Sequence, residues 1–185
     1  GNFAIDNYFF TNQIIPPMCD GDIRFIDFDL DGDLDLIYAG SNKLDKTTAV
    51  GIGGIKVNTL LDPKNTINYI NSFSTNYVQG LNLANAKFDL GDVDNDGDMD
   101  IVLIGTNQNG GSNTAASPIV KMIKNLTKER RSSNNFNNLI YTEQSIIDSV
   151  DQGSVKFADY NNDGLLDLAY TGTNKLKSPT TKILL

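Results

Sequence analysis

The sequence predicts an all-β fold built from three repeats of a four-stranded antiparallel sheet. Three observations lead to this prediction. Three segments of the chain align with one another, and apolar residues alternate with period two before the loop that each segment contains. The acidic residues, moreover, are almost all aspartate. Of the 23 acidic residues, 21 are Asp, and only Glu129 and Glu143 are Glu. Asp is a poorer helix former than Glu, and it favours turns together with Asn and Gly.

The three aligned segments are "GDIRFIDFDLDGDLDLIYAG" from Gly21, "AKFDLGDVDNDGDMDIVLIG" from Ala86 and "GSVKFADYNNDGLLDLAYTG" from Gly153. Internal repeats of this kind mark a stack of similar units, and they decide the architecture before any single element does. The first acid of each loop, Asp27, Asp92 or Asp159, therefore marks the same place in every unit.

Two strands flank each loop. The strand before it is predicted by alternating apolar pairs, which are Ile23 and Phe25, Phe88 and Leu90, and Val155 and Phe157. The strand after it is predicted by the apolar runs "LIYAG", "IVLIG" and "LAYTG", each of which ends at a glycine.

Third and fourth strands complete each unit. Third strands are predicted at "VGIGGIKVN", "SPIVKMIKN" and "SPTTKILL", and the glycines of "GIGG" predict a bulge in the first of these. Fourth strands are predicted at "TINYINSFSTNY" and "NNLIYTEQSII". Four antiparallel strands in a unit of this length are typical of a β-propeller blade.

The repeats also predict a division of the chain. The N-terminal "NYFFTNQII" resembles the fourth strand "NLIYTEQSII", so residues 1–20 are predicted to supply a fourth strand to a blade of the same chain or of another copy. Blade 1 then spans residues 21–80, blade 2 residues 81–150, and blade 3 residues 151–185 without its fourth strand. Because closed propellers have about four to eight blades, three arrangements remain open: part of a longer propeller, copies joined by strand exchange into a ring or filament, and a strained three-bladed disc.

The three loops contain the candidate metal ligands. Numbered from the first acid, positions 1, 3, 5, 7 and 9 are Asp27, Asp29, Asp31, Asp33 and Asp35 in the first loop, Asp92, Asp94, Asp96, Asp98 and Asp100 in the second, and Asp159, Asn161, Asp163, Leu165 and Asp167 in the third. Calcium takes six to eight hard oxygen ligands from a backbone that curls around the ion. Position 6 is glycine in all three loops, which permits the sharp turn, and position 7 is expected to give its backbone carbonyl, so Leu165 is tolerated there. We therefore expect up to three Ca²⁺ ions, one in each loop.

Other interpretations of the loops fit less well. An EF-hand needs Glu at position 12 and a helix after it, whereas position 12 here is Tyr38, Leu103 or Tyr170 and a strand follows. Magnesium prefers fewer carboxylates and keeps more of its waters. An edge strand with a solvated Asp face would use residues that disfavour strands. The third loop has three carboxylates where the others have five, so we expect it to bind calcium least tightly.

The pattern D-x-[DN]-x-D-G-x-x-D, followed by apolar residues and glycine, resembles the FG-GAP/VCBS repeats of integrin alpha-subunit propellers and of many secreted bacterial proteins. The stretches "TGTNKLKSPTTKIL" and "KMIKN" with "YTEQ" are similar to the secreted branch. This resemblance implies calcium in the hairpin loops between strands one and two of each blade, and an extracellular or cell-surface location. The chain departs from the family in having fewer repeats than its closed propellers.

Composition excludes several function classes. The chain has no His, so a Ser-His or Cys-His mechanism within it is excluded, and with one cysteine, Cys19, an ordinary zinc site is not expected. A net charge of -8 argues against nucleic acid as a partner. No apolar run is long enough to predict a membrane span. The "NLT" sequon at Asn125 is a candidate glycosylation site.

Together these features predict a non-enzymatic, extracellular calcium-binding module for adhesion, recognition or assembly, with an unspecified protein or glycan ligand. Two alternatives remain. The chain could be a structural subunit of a ring or filament that assembles through its N-terminal strand and the open edge of blade 3. It could also be a non-catalytic propeller part of a larger secreted enzyme or surface protein.

Overall fold

A computed structural model describes residues 15–42, 50–58, 81–107, 116–127, 141–146 and 149–185, of which residues 141–145 are described by their backbone alone. Within these ranges the chain is all-β and contains no helix, so the all-β part of the predicted fold class is confirmed. Accordingly, these ranges contain no helix of the length and apolarity that a membrane crossing needs. The strands are β1 (Cys19–Ile26), β2 (Asp35–Ser41), β3 (Gly51–Lys56), β4 (Ala84–Gly91), β5 (Asp100–Asn107), β6 (Ser117–Asn125), β7 (Tyr141–Ile146), β8 (Val150–Ala158), β9 (Asp167–Asn174) and β10 (Pro179–Leu184).

The strands form three antiparallel sheets in the order of the chain. The first sheet is β1-β2-β3, the second is β4-β5-β6 with β7 at its edge, and the third is β8-β9-β10. These sheets match the predicted first, second and third strands of every repeat. The predicted fourth strand "TINYINSFSTNY" and residues 7–14 of the N-terminal segment lie outside the described residues. Four-stranded blades throughout, and their closure into a propeller, therefore stay predictions.

The sheets stack face to face, and the apolar pattern of the sequence explains how. Strand β4 packs against β1 and β2, and β8 packs against β4 and β5. The core between the first two sheets includes Phe28, Ile37, Ile55, Phe88 and Leu103, all of which are almost completely buried. Burial of one such side chain contributes roughly 1.5–3 kcal/mol, so these contacts hold the first two acidic loops in a fixed relative position.

A bulge recurs near the start of every first strand. The register shifts between Cys19 and Asp22 in β1, and the same shift occurs in β4 and β8. The residue inside each bulge has a positive φ; these residues are Asp20, Asn85 and Gln152. Such bulges bend a strand and increase its twist, and alternation of apolar residues alone did not predict them.

The predicted bulge at "GIGG" is wrong, because β3 pairs with β2 in an unbroken register. The glycines allow close approach of the segment that enters β4. A Cβ atom on Gly53 would lie 2.2 Å from the carbonyl oxygen of Leu81, and the N–H of Gly53 donates to Asn82 Oδ1 at 3.0 Å. Glycine is therefore required at this position by packing between repeats and not by an irregularity in the strand.

Candidate metal centres

Each acidic loop is the hairpin between the first and second strands of a sheet, as predicted. We call residues 27–35, 92–100 and 159–167 the first, second and third loop. Position 9 of each loop is also the first residue of the second strand, and Asp35, Asp100 and Asp167 are buried. Position 7 of the first two loops, Asp33 and Asp98, is buried as well.

The carboxylate at position 1 closes each loop in the same way. Asp27 Oδ1 accepts the N–H of Asp31 at 3.0 Å, and its Oδ2 accepts the N–H of Gly32 at 3.0 Å. Equivalent bonds of 2.9–3.0 Å are made by Asp92 in the second loop and Asp159 in the third. The repeated sequence therefore produces a repeated backbone conformation.

Position 5 makes a second shared contact. Its Oδ1 atom accepts the N–H of position 7, at 3.0 Å in the first and second loops and 2.8 Å in the third. Because these bonds use backbone N–H groups, the third loop keeps the contact although position 7 is Leu165. Its exposed apolar side chain leaves the backbone geometry unchanged.

The buried carboxylate at position 9 ties the loop to the sheet. Asp35 Oδ2 accepts the N–H of Phe28 at 2.8 Å, and Asp35 Oδ1 accepts the N–H of Asn58 at 2.7 Å. In the second loop, Asp100 accepts the N–H of Val93 at 3.0 Å and that of Asn125 at 2.8 Å. Position 9 thus joins its own loop to the end of the third strand.

Two positions of every loop have a left-handed backbone. Glycine at position 6 has φ between 88° and 100°, as its predicted role requires. Position 4 is also left-handed, with φ of 60° at Leu30, 58° at Asn95 and 59° at Asn162. Asn tolerates this conformation better than most residues. The Asn at position 4 of two loops is a sequence signal for this left-handed backbone.

The donor geometry fits a hard divalent cation in the first two loops. Carboxylate oxygens of Asp27, Asp29 and Asp35 lie within 4.8 Å of one another, and so do those of Asp92, Asp94 and Asp96. Moreover, the Oδ1 atom of Asp29 is buried and accepts no hydrogen bond. A buried carboxylate oxygen without a donor is costly, and a bound cation would offset that cost. An all-oxygen donor set is the one that calcium prefers.

Two carboxylates of the first loop have raised pKa values. Burial, together with the neighbouring charge of Asp31, raises the pKa of Asp29 to about 6. Burial also raises the pKa of Asp35 to about 7, although the N–H groups of Asn58 and Phe28 oppose this shift. A divalent cation would favour the charged form of both carboxylates.

The second loop differs in two respects. Burial raises the pKa of Asp100 to about 6, against the opposing N–H groups of Val93 and Asn125. In addition, Lys124 Nζ lies 2.5 Å from Asp94 Oδ2, and this hydrogen bond raises the pKa of the lysine. The second loop therefore holds an ammonium group beside the carboxylate at position 3.

In the third loop, position 3 is an amide that bonds to its neighbour. Asn161 Oδ1 accepts the N–H of Asp163 at 2.9 Å, and Asn161 Nδ2 donates to Asp163 Oδ2 at 2.9 Å. In the described part of the chain, the oxygens of this loop are not among the groups of three acidic ligands that lie within 4.8 Å. Weaker calcium binding by the third loop stays a prediction.

Asn125, the candidate glycosylation site, is completely buried. Its Oδ1 accepts the N–H of Thr127 at 3.1 Å and the hydroxyl of the same residue at 2.7 Å. Its Nδ2, the atom that would carry a glycan, donates to the carbonyl of Phe28 at 2.7 Å. Glycosylation stays an untested prediction, and the burial of this nitrogen weighs against it.

Comparison of the chain with protein-family models, with curated proteins and with solved structures gave no match. The resemblance to FG-GAP/VCBS repeats accordingly rests on the residues of the loops and their flanking strands.

Proposed function

We propose that the chain is a calcium-binding repeat module in which each acidic loop can hold one ion between the first and second strands of its sheet. The observation that carries this proposal is the buried Asp29 Oδ1 atom without a hydrogen-bond donor, in a loop whose carboxylates converge within 4.8 Å. The chemical role of the ion is to neutralise crowded carboxylates and to stiffen the loop. Three ions would change the formal charge from -8 to about -2.

Calcium is favoured over magnesium by the number of carboxylates. Magnesium demands near-ideal octahedral geometry and usually binds through one or two carboxylates with several waters. The first and second loops each contain five aspartates within nine residues. Such a set suits the larger and more flexible coordination shell of calcium.

The proposed setting is extracellular, and the proposed role is non-enzymatic. Extracellular modules bind calcium with dissociation constants of about 10⁻⁴–10⁻³ M, so the loops would be loaded outside a cell. On this proposal the stiffened repeats present a surface for adhesion, recognition or assembly, and the ligand is a protein or a glycan. The resemblance to FG-GAP/VCBS repeats supports this setting.

Isothermal titration of the metal-free chain with Ca²⁺ and with Mg²⁺ tests the proposal. We expect heat from calcium at millimolar supply and weaker binding of magnesium. Exchange of Asp27 and Asp29 for Asn should abolish binding at the first loop. The matched control is Asp22→Asn with Asp89→Asn, because it removes the same two charges from acids outside the loops that are paired with Arg24 and Lys156. Absence of calcium binding, or equal loss in the control, would refute the proposal.

A second proposed function is self-assembly, and it is favoured by the outer face of the third sheet. Phe28 and Ile55, in the first repeat, are completely buried and pack against the second sheet. The residues at the same places in the third repeat, Tyr160 and Ile183, are 72% and 50% exposed. Strand β10 pairs only with β9 among the described strands. We propose that this face and edge dock a second copy of the chain, which would give a ring or a filament.

Light scattering over a range of protein concentrations tests self-assembly. We expect the mass to rise with concentration and the double variant Tyr160→Ser, Ile183→Thr to remain smaller. Leu176→Ser serves as a control, because Leu176 is an exposed apolar residue in the turn between β9 and β10. A constant monomer mass for the unchanged chain would exclude this second function while leaving calcium binding intact.

A further inference from the structure

We infer that Asn125 is a positioning residue that links the first and second loops, so that calcium binds to the two loops with positive coupling. This inference rests on the proposed calcium function and adds to it an energetic connection between two sites. Asn125 lies at the end of β6, in the second repeat, yet its side chain contacts the first loop. It is completely buried, so both of its contacts operate away from bulk water.

On the side of the first loop, Asn125 holds one peptide group. Its Nδ2 donates to the carbonyl of Phe28 at 2.7 Å. The N–H of that same peptide belongs to Asp29 and donates to Asp35 Oδ2 at 3.3 Å. The peptide group between Phe28 and Asp29 is therefore held at its carbonyl by Asn125 and at its N–H by the carboxylate at position 9. Hydrogen bonds at both ends of a peptide strengthen one another in a buried setting.

On the side of the second loop, Asn125 uses its backbone. Its N–H donates to Asp100 Oδ1 at 2.8 Å, and Asp100 Oδ2 accepts the N–H of Val93 within the second loop at 3.0 Å. An unbroken series of buried hydrogen bonds thus runs from the peptide of Phe28 through Asn125 to the position-9 carboxylate of the second loop. The hydroxyl and N–H of Thr127 fix the orientation of the Asn125 amide between them.

The equivalent residue of the first repeat, Asn58, supplies a matched comparison. Its backbone N–H makes the same bond to a position-9 carboxylate, that of Asp35, at 2.7 Å. However, its side-chain amide donates to the carbonyl of Leu34, in its own hairpin, at 3.3 Å. The side-chain bond of Asn125 thus reaches the loop of the preceding repeat, whereas this bond of Asn58 stays within its own repeat. The second and third loops make a weaker contact, from Asn95 Nδ2 to the Gly164 carbonyl, at 3.5 Å.

Coupling follows because calcium in either loop orders groups that Asn125 shares. An ion bound to Asp29 fixes the peptide that precedes it and hence the acceptor of the Asn125 amide. A fixed Asn125 presents its N–H to Asp100 before an ion arrives in the second loop, so that ion has less ordering to impose. By linkage, each ion must raise the affinity of the other site by the same factor.

Calcium titration of variants in which one loop cannot bind the ion measures the factor by which each ion raises the affinity of the other site. All proteins carry Asp159→Asn and Asp163→Asn, which silence the third loop. Affinity of the second loop is then compared with the first loop intact and with it disabled by Asp27→Asn and Asp29→Asn. We expect that disabling the first loop weakens calcium binding at the second by about fivefold or more. Asp92→Asn with Asp94→Asn gives the reciprocal measurement, for which the same factor is expected.

The variant Asn125→Ala should reduce the effect of one loop on the calcium affinity of the other to less than about twofold. The variant Asn58→Ala should leave that effect unchanged. A residue with a merely structural role would lower stability but would leave the ratio of affinities as it was. The Hill coefficient of the chain with all loops intact is a second readout that needs no disabled loop. It should fall in Asn125→Ala and stay unchanged in Asn58→Ala.

If Asn125→Ala does not fold, Thr127→Val decides the question, since it removes the hydroxyl that orients the amide while keeping the size of the side chain. Coupling should fall in this variant too. Coupling that persists in a folded Asn125→Ala protein, or in Thr127→Val when Asn125→Ala does not fold, overturns the inference although calcium still binds. Failure of the unchanged chain to bind calcium at all would instead overturn the proposed function.

Discussion

The ammonium group of Lys124 lies 2.5 Å from Asp94 Oδ2, so the second loop holds a positive side chain beside the carboxylate at its third position. A calcium ion that binds Asp94 must compete with this ion pair. The first loop has no lysine at the corresponding place, which is occupied by Val57. The two loops therefore differ in an interaction that can be removed by one substitution.

Lys124→Gln should raise the calcium affinity of the second loop. The pair is partly exposed, and exposed ion pairs contribute at most about 1 kcal/mol, so an increase of up to about fivefold is expected. Lys156→Gln is the control, because Lys156 pairs at 2.8 Å with Asp89, an acid outside the loops. Calorimetric titration compares the two variants, and an equal gain in both would assign the effect to net charge alone.

Calcium should stabilise the fold, and a chelator should reverse the effect. A ligand that binds only the folded state at a hundred times its dissociation constant adds about 2.7 kcal/mol for one site. For loops of about 10⁻⁴ M affinity, 10 mM calcium gives this excess. Urea unfolding with and without a chelator measures the difference, and magnesium at the same concentration should add less. A calcium-independent midpoint would contradict the prediction.

In a chelator, the stability of the chain should fall as the pH rises from about 4 to about 7. Burial raises the pKa of Asp29 and Asp100 to about 6 and that of Asp35 to about 7, above the ordinary value of 3.8. The folded state therefore binds more protons than the unfolded state in this window. The stabilisation is complete below about pH 4 and is lost as the pH rises through the pKa values of the folded state.

Calcium should reverse this dependence of stability on pH, because it binds the ionised carboxylates. Urea midpoints at pH 5 and pH 7.5, each with calcium and with chelator, give the four values required. Asp35→Asn should flatten the slope in chelator. A metal-free protein that becomes more stable from pH 5 to pH 7.5 would rule out the electrostatic account.

Gly53→Ala should lower the free energy of unfolding by more than Gly164→Ala does. A Cβ at Gly53 meets the backbone of Leu81 at 2.2 Å, and backbone cannot rotate away, so a loss above about 3 kcal/mol is expected. At Gly164 no atom lies within 4 Å, and the cost arises from its φ of 88°, which is about 1 kcal/mol. Urea unfolding in chelator keeps metal binding out of this comparison, and equal losses would contradict it.

Much of the site was predictable because it is local. The spacing of Asp27, Asp29 and Asp35 and the glycine at position 6 predict a closed hairpin loop, and the hydrogen bonds that close it join residues at most seven positions apart. The strands on each side follow from period-two patterns that need no knowledge of other sheets.

Features that depend on contact between repeats could not be predicted from the sequence in this way. "GIGG" was interpreted as a bulge because its real cause, the backbone of Leu81, is distant in sequence from Gly53. Asn125 was interpreted as a sequon because its acceptor, the Phe28 carbonyl, is 97 residues away. The bulges at Asp20 and Asn85 carry no apolar signal, since their side chains are polar.

The three hairpin loops lie at the same end of the stacked sheets, as the contacts of Asn125 with Phe28 and of Asn95 with Gly164 require. They hold five, five and three carboxylates, thirteen of the 23 acidic residues, so the remainder of the chain carries a formal excess of positive charge. In the part of the chain that the structure describes, the metal-free loops therefore form the negative end of the charge distribution. Near a positively charged surface the molecule would turn that end inward, and three calcium ions, which cancel six of the thirteen negative charges there, would roughly halve the torque that orients it.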